Sequence, residues 1–190
     1  NPCFTAVEQE GEPQWLTIKT NLIGSYNADN VLAAMCVSSY MDVPAADAIK
    51  ALEGYYPSNN RSQLTRTEHN TLVVDAYNAN PTSMRAALDN FALVKADDKV
   101  LILGDMRELG ESSREEHINT INQIKGYGFT DVYLVGSEFA QAQADLTTAY
   151  HLYNNIEELI EYVKQNPMFG KTVLIKGSNS IGLTKITDYL

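Results

Sequence analysis

Cations, cysteines and long apolar runs are scarce in this chain, and each shortage argues against a class of function. Only 14 Lys and Arg residues stand against 24 Asp and Glu among 190, for a formal net charge of -10. The cations form no cluster or stripe, so a surface that neutralises a phosphate backbone is absent and nucleic acid is disfavoured as a partner. Cys3 and Cys36 have neither metal-site nor disulfide-framework spacing and read as reduced thiols, so no protein-held metal is expected. No apolar run approaches the roughly 18 residues of a membrane span. The first residues also lack the basic-then-apolar profile of a signal peptide. A cytoplasmic, monomeric protein is the expectation.

A phosphate loop is missing as well. Gly170-Lys171-Thr172 resembles the end of one, but the pattern needs glycine five residues earlier, where Gln165 stands, and a strand follows where a helix should. There is no nucleophile elbow and no Ser/His/Asp spacing that would support a hydrolase. His117, in Glu115-Glu116-His117, falls at a charged helix start and reads as a surface residue, and His69 and His151 offer less.

What the chain does have is a recurring pattern of short apolar runs that end in polar turns. Leu72-Val73-Val74 runs into Asp75-Ala76-Tyr77-Asn78-Ala79-Asn80-Pro81, a carboxylate, a phenol and two amides before a proline suited to a first helical turn. Val100-Leu101-Ile102-Leu103 runs into Gly104-Asp105-Met106-Arg107-Glu108-Leu109-Gly110. Val173-Leu174-Ile175 runs into Lys176-Gly177-Ser178-Asn179-Ser180. In an open α/β sheet ligands bind outside the carboxyl ends of the strands, so these tips are expected to converge on one crevice.

Between the strands lie helical faces: Met84, Ala87, Leu88, Phe91 and Leu93; then Ile118, Ile121 and Ile124; then Ile156, Leu159, Ile160 and Val163. Val132-Tyr133-Leu134-Val135 and the weaker Tyr150-His151-Leu152-Tyr153 add strands. This alternation predicts a mostly parallel sheet with helices on both faces.

The first 60 residues break the rhythm. Trp15 to Thr20 alternates like a half-buried strand, helices are expected over residues 28–40 and 45–52, and Pro57-Ser58-Asn59-Asn60 reads as a hinge. Residues 1–25 offer too few strands to enclose a core alone, so 1–58 read as the tail of another domain, with 59–190 as the α/β domain. The chain is thus expected to be a piece of a longer protein. Asn27 and Asn30, three apart at a helix start, share a face and could present amides to a planar ring, although Asn27 could equally be a helix cap. Arg61, just past the hinge, is placed to reach phosphate with its guanidinium fork, or is a solvated surface arginine.

Taken together, Gly24-Ser25-Tyr26-Asn27-Ala28-Asp29-Asn30, Arg61, Asp75-Ala76-Tyr77-Asn78-Ala79-Asn80-Pro81, Gly104-Asp105-Met106-Arg107-Glu108-Leu109-Gly110 and Lys176-Gly177-Ser178 resemble the Mur ligases. The resemblance implies the end of a central ATPase domain followed by a Rossmann-like C-terminal domain that closes over ATP and Mg2+, held largely by an upstream phosphate loop. It implies ATP-driven addition of D-alanyl-D-alanine to UDP-N-acetylmuramoyl tripeptide in peptidoglycan precursor synthesis, and through that a part in cell shape and division. By the same resemblance Asn27 and Asn30 face adenine, Arg61 contacts the phosphates in a catalytic role, Asp75 holds the ribose, and Tyr77, Asn78 and Asn80 shape that loop. Asp105, Lys176 and Ser178 border the dipeptide. The chain departs from the family's pattern at Tyr26, Val74 and Asn179, where histidine, aspartate and arginine are common, and the last bears on recognition of the dipeptide carboxylate. The rival reading is a non-catalytic nucleotide-responsive or protein-binding module of the same fold.

Overall fold

A computed structural model of the protein describes residues 4–5, 17–22, 27–56 and 63–190. The chain divides into two compact units, Asn1–Ser58 and Asn59–Leu190. In the first, β1 (Phe4–Thr5) pairs antiparallel with β2 (Ile18–Lys19), followed by α1 (Asn27–Tyr40) and α2 (Ala45–Glu53). Ile18, Val31, Met35 and Ala48 form a small core edged by Leu22, Ile49 and Leu52. Asn21 Nδ2 donates to the Glu53 carbonyl (2.9 Å), so the strand side is tied to the end of α2. Trp15, Gly24, Ser25 and Tyr26, and the hinge at 57–60, lie outside the described residues. Among the described residues no helix is long and apolar enough to cross a membrane.

The second unit is a six-stranded sheet in the order β3-β4-β8-β5-β6-β7. Its strands are β3 (Gln63–Arg66), β4 (Thr71–Asp75), β5 (Lys99–Gly104), β6 (Asp131–Val135), β7 (His151–Tyr153) and β8 (Thr172–Lys176). All neighbours are parallel except β3, an antiparallel edge strand on β4. The sequence pattern did not mark β3. Gln63-Leu64-Thr65-Arg66 carries no apolar run, because an edge strand has only one strand to pair with and Leu64 stays exposed.

Strand order follows from handedness. The connections β4 to β5, β5 to β6 and β6 to β7 pass through α3 (Pro81–Leu93), α4 (Ser113–Gly126) and α5 (Ser137–Ala144), and all advance in one direction across the sheet. Right-handed crossovers therefore put these three helices on one face, where α3 packs on α4 and α4 on α5. The last crossover, through α6 (Ile156–Gln165), runs back to insert β8 between β4 and β5 and so must use the opposite face. There Ile156, Leu159, Ile160 and Val163 of α6 pack with Leu72, Val74, Val100, Ile102, Val173 and Ile175, and with Leu183 and Ile186 from the 3-10 segment that follows β8. Strand alternation sends Val73, Leu101, Leu134 and Leu174 to the other face, and all of them are buried.

Two helical faces differ in detail from the sequence pattern. Met84, Ala87, Leu88 and Phe91 are buried on α3, but Leu93 is 81% exposed because the helix ends there. On α4 the buried face is His117, Thr120, Ile121 and Ile124, with Ile118 at its margin.

At the amino-terminal end of the sheet, the buried Asn70 side chain donates to the carbonyls of Met168 and Leu190, both at 2.8 Å, and accepts the Lys171 N–H at 2.9 Å. Gly170, at φ +69°, donates its N–H to the His69 carbonyl. Gly170-Lys171-Thr172 is thus the entry to β8, at the end of the sheet opposite the three polar tips.

Candidate functional site

The segment leaving β8 goes to the face of α6, whereas the segments leaving β4 and β5 go to the face of α3 and α4. Where neighbouring strands send their chains to opposite faces, a crevice opens at the carboxyl ends. Here β8 has such a neighbour on each side. The register places Asp75 of β4 beside Lys176 of β8, and Leu103 of β5 beside Lys176 on the other side.

On the β4 side Lys176 Nζ donates to Asp75 Oδ2 at 2.7 Å, with the lysine side chain 1% and the aspartate side chain 15% exposed. The ammonium also lies 3.4 Å from the Asn78 carbonyl. Two charges removed this far from water compensate each other. The following turn is shaped by its own amides. Asn78 Oδ1 accepts the Ala79 N–H at 2.9 Å. Asn80 caps α3, its Oδ1 accepting the Ser83 N–H at 2.8 Å while Ser83 Oγ accepts the Asn80 N–H at 3.1 Å, and Pro81 begins the helix. Tyr77 stands 49% exposed at the lip.

On the β5 side the seam is made by the backbone. Gly104 and Gly177 meet so closely that a Cβ on Gly177 would fall 2.9 Å from Gly104 Cα. Ser178 donates its N–H to the Asp105 carbonyl at 3.1 Å, and its Oγ accepts the Arg107 N–H at 2.8 Å. Three successive amides leaving β5 are all engaged: Asp105 N–H by the Val135 carbonyl, Met106 N–H by His117 Nε2 at 3.1 Å, and Arg107 N–H by Ser178. The Asp105 side chain is fully buried. It accepts the N–H of Glu138 at 3.1 Å and of Phe139 at 3.0 Å, at the start of α5. That contact requires Gly136, at φ +123°, since any Cβ there would overlap the carboxylate.

His117 corrects the sequence reading. It is 0% exposed, its Nδ1 lies 2.7 Å from the Ser113 carbonyl, and its ring sits edge-on to Phe139 with centroids 4.6 Å apart. Because Nε2 accepts from Met106, the proton sits on Nδ1 and is donated to Ser113. The charged neighbours Glu115 and Glu116 concealed a helical signal. His117 precedes Ile121 by four residues and Ile124 by seven, which puts it on the buried face.

In the first unit, Asn30 Nδ2 donates to Asn27 Oδ1 at 3.0 Å at the start of α1, with Asn27 buried and Asn30 exposed. Arg61 lies outside the described residues. The structure therefore brings together Asp75, Asn78 and Lys176 on one side of β8, and Asp105, Arg107, His117 and Ser178 on the other.

The sequence profile described as "Mur ligase, glutamate ligase domain" matches residues 60–179, more than half of the chain. The chain belongs to the Mur ligase family. This Mur ligase chain is 30% identical over 179 residues to the UDP-N-acetylmuramoyl-tripeptide--D-alanyl-D-alanine ligase of Rickettsia prowazekii, covering 93% of the chain and 40% of that relative. It is 32% identical over 179 residues to the enzyme of the same name from Treponema pallidum, covering 91% and 39%. The MurF ligase of Thermotoga maritima, solved in complex with ADP, superposes with a TM-score of 0.77 at 20% identity, over 92% of the chain and 40% of that structure, and so shares its fold. The Mur ligase chain spans about 40% of the length of the curated relatives it matches.

Proposed function

We propose that this chain is part of an ATP-dependent ligase that joins D-alanyl-D-alanine to UDP-N-acetylmuramoyl tripeptide. In this reading residues 1–58 end the central ATP-binding domain and 59–190 form the closing C-terminal domain. The observation that carries it is the identity of 30% and 32% to ligases named for that reaction, extending over both units of the chain. ATP would supply the phosphoryl group that converts the tripeptide carboxylate to an acyl phosphate. Attack by the dipeptide amine and collapse of the tetrahedral intermediate would then leave amide and phosphate.

The strand ends of the second unit suit a ribose on one side of β8 and a small peptide on the other. Asn27 and Asn30 offer amide donors and acceptors to a purine edge. Lys176 holds the Asp75 carboxylate in one orientation at the strand end, where vicinal ribose hydroxyls would be accepted, and Tyr77, Asn78 and Asn80 shape the loop above it. Arg61 would meet the phosphates on closure. Among the described residues no group of three or more His, Cys, Asp and Glu could hold a metal ion, and Mg2+ would be held largely by the phosphates and an upstream phosphate loop. The loop of Asp105, with Lys176 and Ser178, would border the dipeptide. Closure would keep water from the acyl phosphate.

The test is phosphate release by the full-length protein. It is expected to require ATP, the tripeptide and the dipeptide together, and the 190-residue chain alone is expected to release none. Silence from the full-length protein with all three substrates, or turnover by the isolated chain, would overturn the reading.

A further inference from the structure

We infer that Arg107 is the residue that binds the carboxylate of the incoming dipeptide and so sets acceptor specificity, an inference that rests on the ligase reading above. An acceptor that attacks through its amine carries its negative charge at the far end, and a cation at the lip of the crevice is needed to anchor it. Lys176, the nearest in sequence to the Ser178 turn, is 1% exposed and committed to Asp75 at 2.7 Å. Lys185 is engaged by Glu157 at 2.7 Å, and Arg114 is bonded through Nε to Asp145 at 2.7 Å. Arg85 stands more than a turn into α3, where its carbonyl meets Gln123 of α4.

Arg107 differs from all of these. Its side chain is 48% exposed, and among the described residues its guanidinium has only a 3.8 Å contact with Asp105 Oδ2, too long for a hydrogen bond. Asp105 already accepts two backbone N–H groups from α5, so it orients the guanidinium by field without occupying its donors. The backbone beneath is held on both sides, by Ser178 Oγ on the Arg107 N–H and by His117 on the Met106 N–H. Glu108, at φ +67°, turns the chain away just beyond. The result is a planar fork of donors on a rigid base beside the Ser178 turn, which is the geometry that binds a carboxylate in two parallel hydrogen bonds.

The experiment measures steady-state kinetics of the full-length protein with D-alanyl-D-alanine and with its C-terminal carboxamide. Arg107→Ala is expected to raise KM for the free dipeptide about 10- to 100-fold, as for loss of a charge-assisted hydrogen bond, while KM for ATP moves less than about 2-fold. Arg107→Lys should recover only part of the loss, because a point charge cannot reproduce the fork. Wild type should discriminate against the carboxamide, and Arg107→Ala should not. An unchanged dipeptide KM in Arg107→Ala, or equal use of acid and carboxamide by the wild type, would overturn the assignment and leave the ligase reading standing. No turnover by wild type with any dipeptide would instead remove the ligase reading, and this inference with it.

Discussion

Strand β8 is bordered by two unlike seams. Toward β4 it is bound by a charge pair almost wholly removed from water, Lys176 on Asp75, with a carbonyl from the next turn beside it. Toward β5 it is bound by backbone, with glycine against glycine and a serine bridging two strands' exits. The charged seam depends on mutual compensation, so removing either partner takes away the opposite charge the other is buried against. The backbone seam depends on shape and on hydrogen bonds between neutral groups, and it leaves the loop's one flexible cation facing outward. The Lys176 ammonium is spent inside the first seam, while the Arg107 guanidinium beside the second stays half exposed.

The sharpest way to break this contrast is Lys176→Met, which keeps the side-chain volume and removes the cation paired with the Asp75 carboxylate. It should lower stability by about 3–5 kcal/mol, measured as a fall in urea midpoint by far-UV circular dichroism, and a second change, Asp75→Asn, should recover part of it. If the single change costs under about 1 kcal/mol, the pair is solvated and the contrast fails. Gly177→Ala attacks the other seam by sterics. The added Cβ meets Gly104 Cα and Leu183 Cδ1, both at 2.9 Å, and the expected loss is about 1–3 kcal/mol by the same measurement. The smallest effect belongs to Asn80→Ala, which deletes the cap of α3 and should cost about 1 kcal/mol, whereas Asn80→Asp should keep most of it. A loss in Asn80→Asp as large as in Asn80→Ala would mean that the amide serves something other than the cap.

Much of the framework was legible locally. Three helical faces and five parallel strands announced themselves because burial imposes a period of 3.6 on helices and an unbroken apolar run on strands covered on both faces, and Pro81 marked the start of α3 by its chemistry alone, whereas α5 went unmarked. The false phosphate loop at Gly170 could be dismissed on spacing. Less visible was β3, whose edge position demands no apolar run. The burial of His117 was masked by its acidic neighbours, although its spacing to Ile121 and Ile124 carried the sign. Asp105 looked like a ligand group because it sits at a strand tip. Nothing in the string indicates that both its oxygens turn inward to the start of α5, since that contact depends on a helix 34 residues further along the chain.

By itself, then, the order of residues determined the elements, the polar character of the strand ends and the family to which they belong, because propensity, periodicity and capping act over a few neighbouring residues. Only the tertiary structure decided that the last strand threads between β4 and β5. That insertion joins Lys176 to Asp75 across 101 positions and leaves Arg107 as the outward charge. The physical reason is that partners so distant in sequence are chosen by crossover handedness and by the cost of burying an uncompensated charge, and both are properties of the assembled sheet.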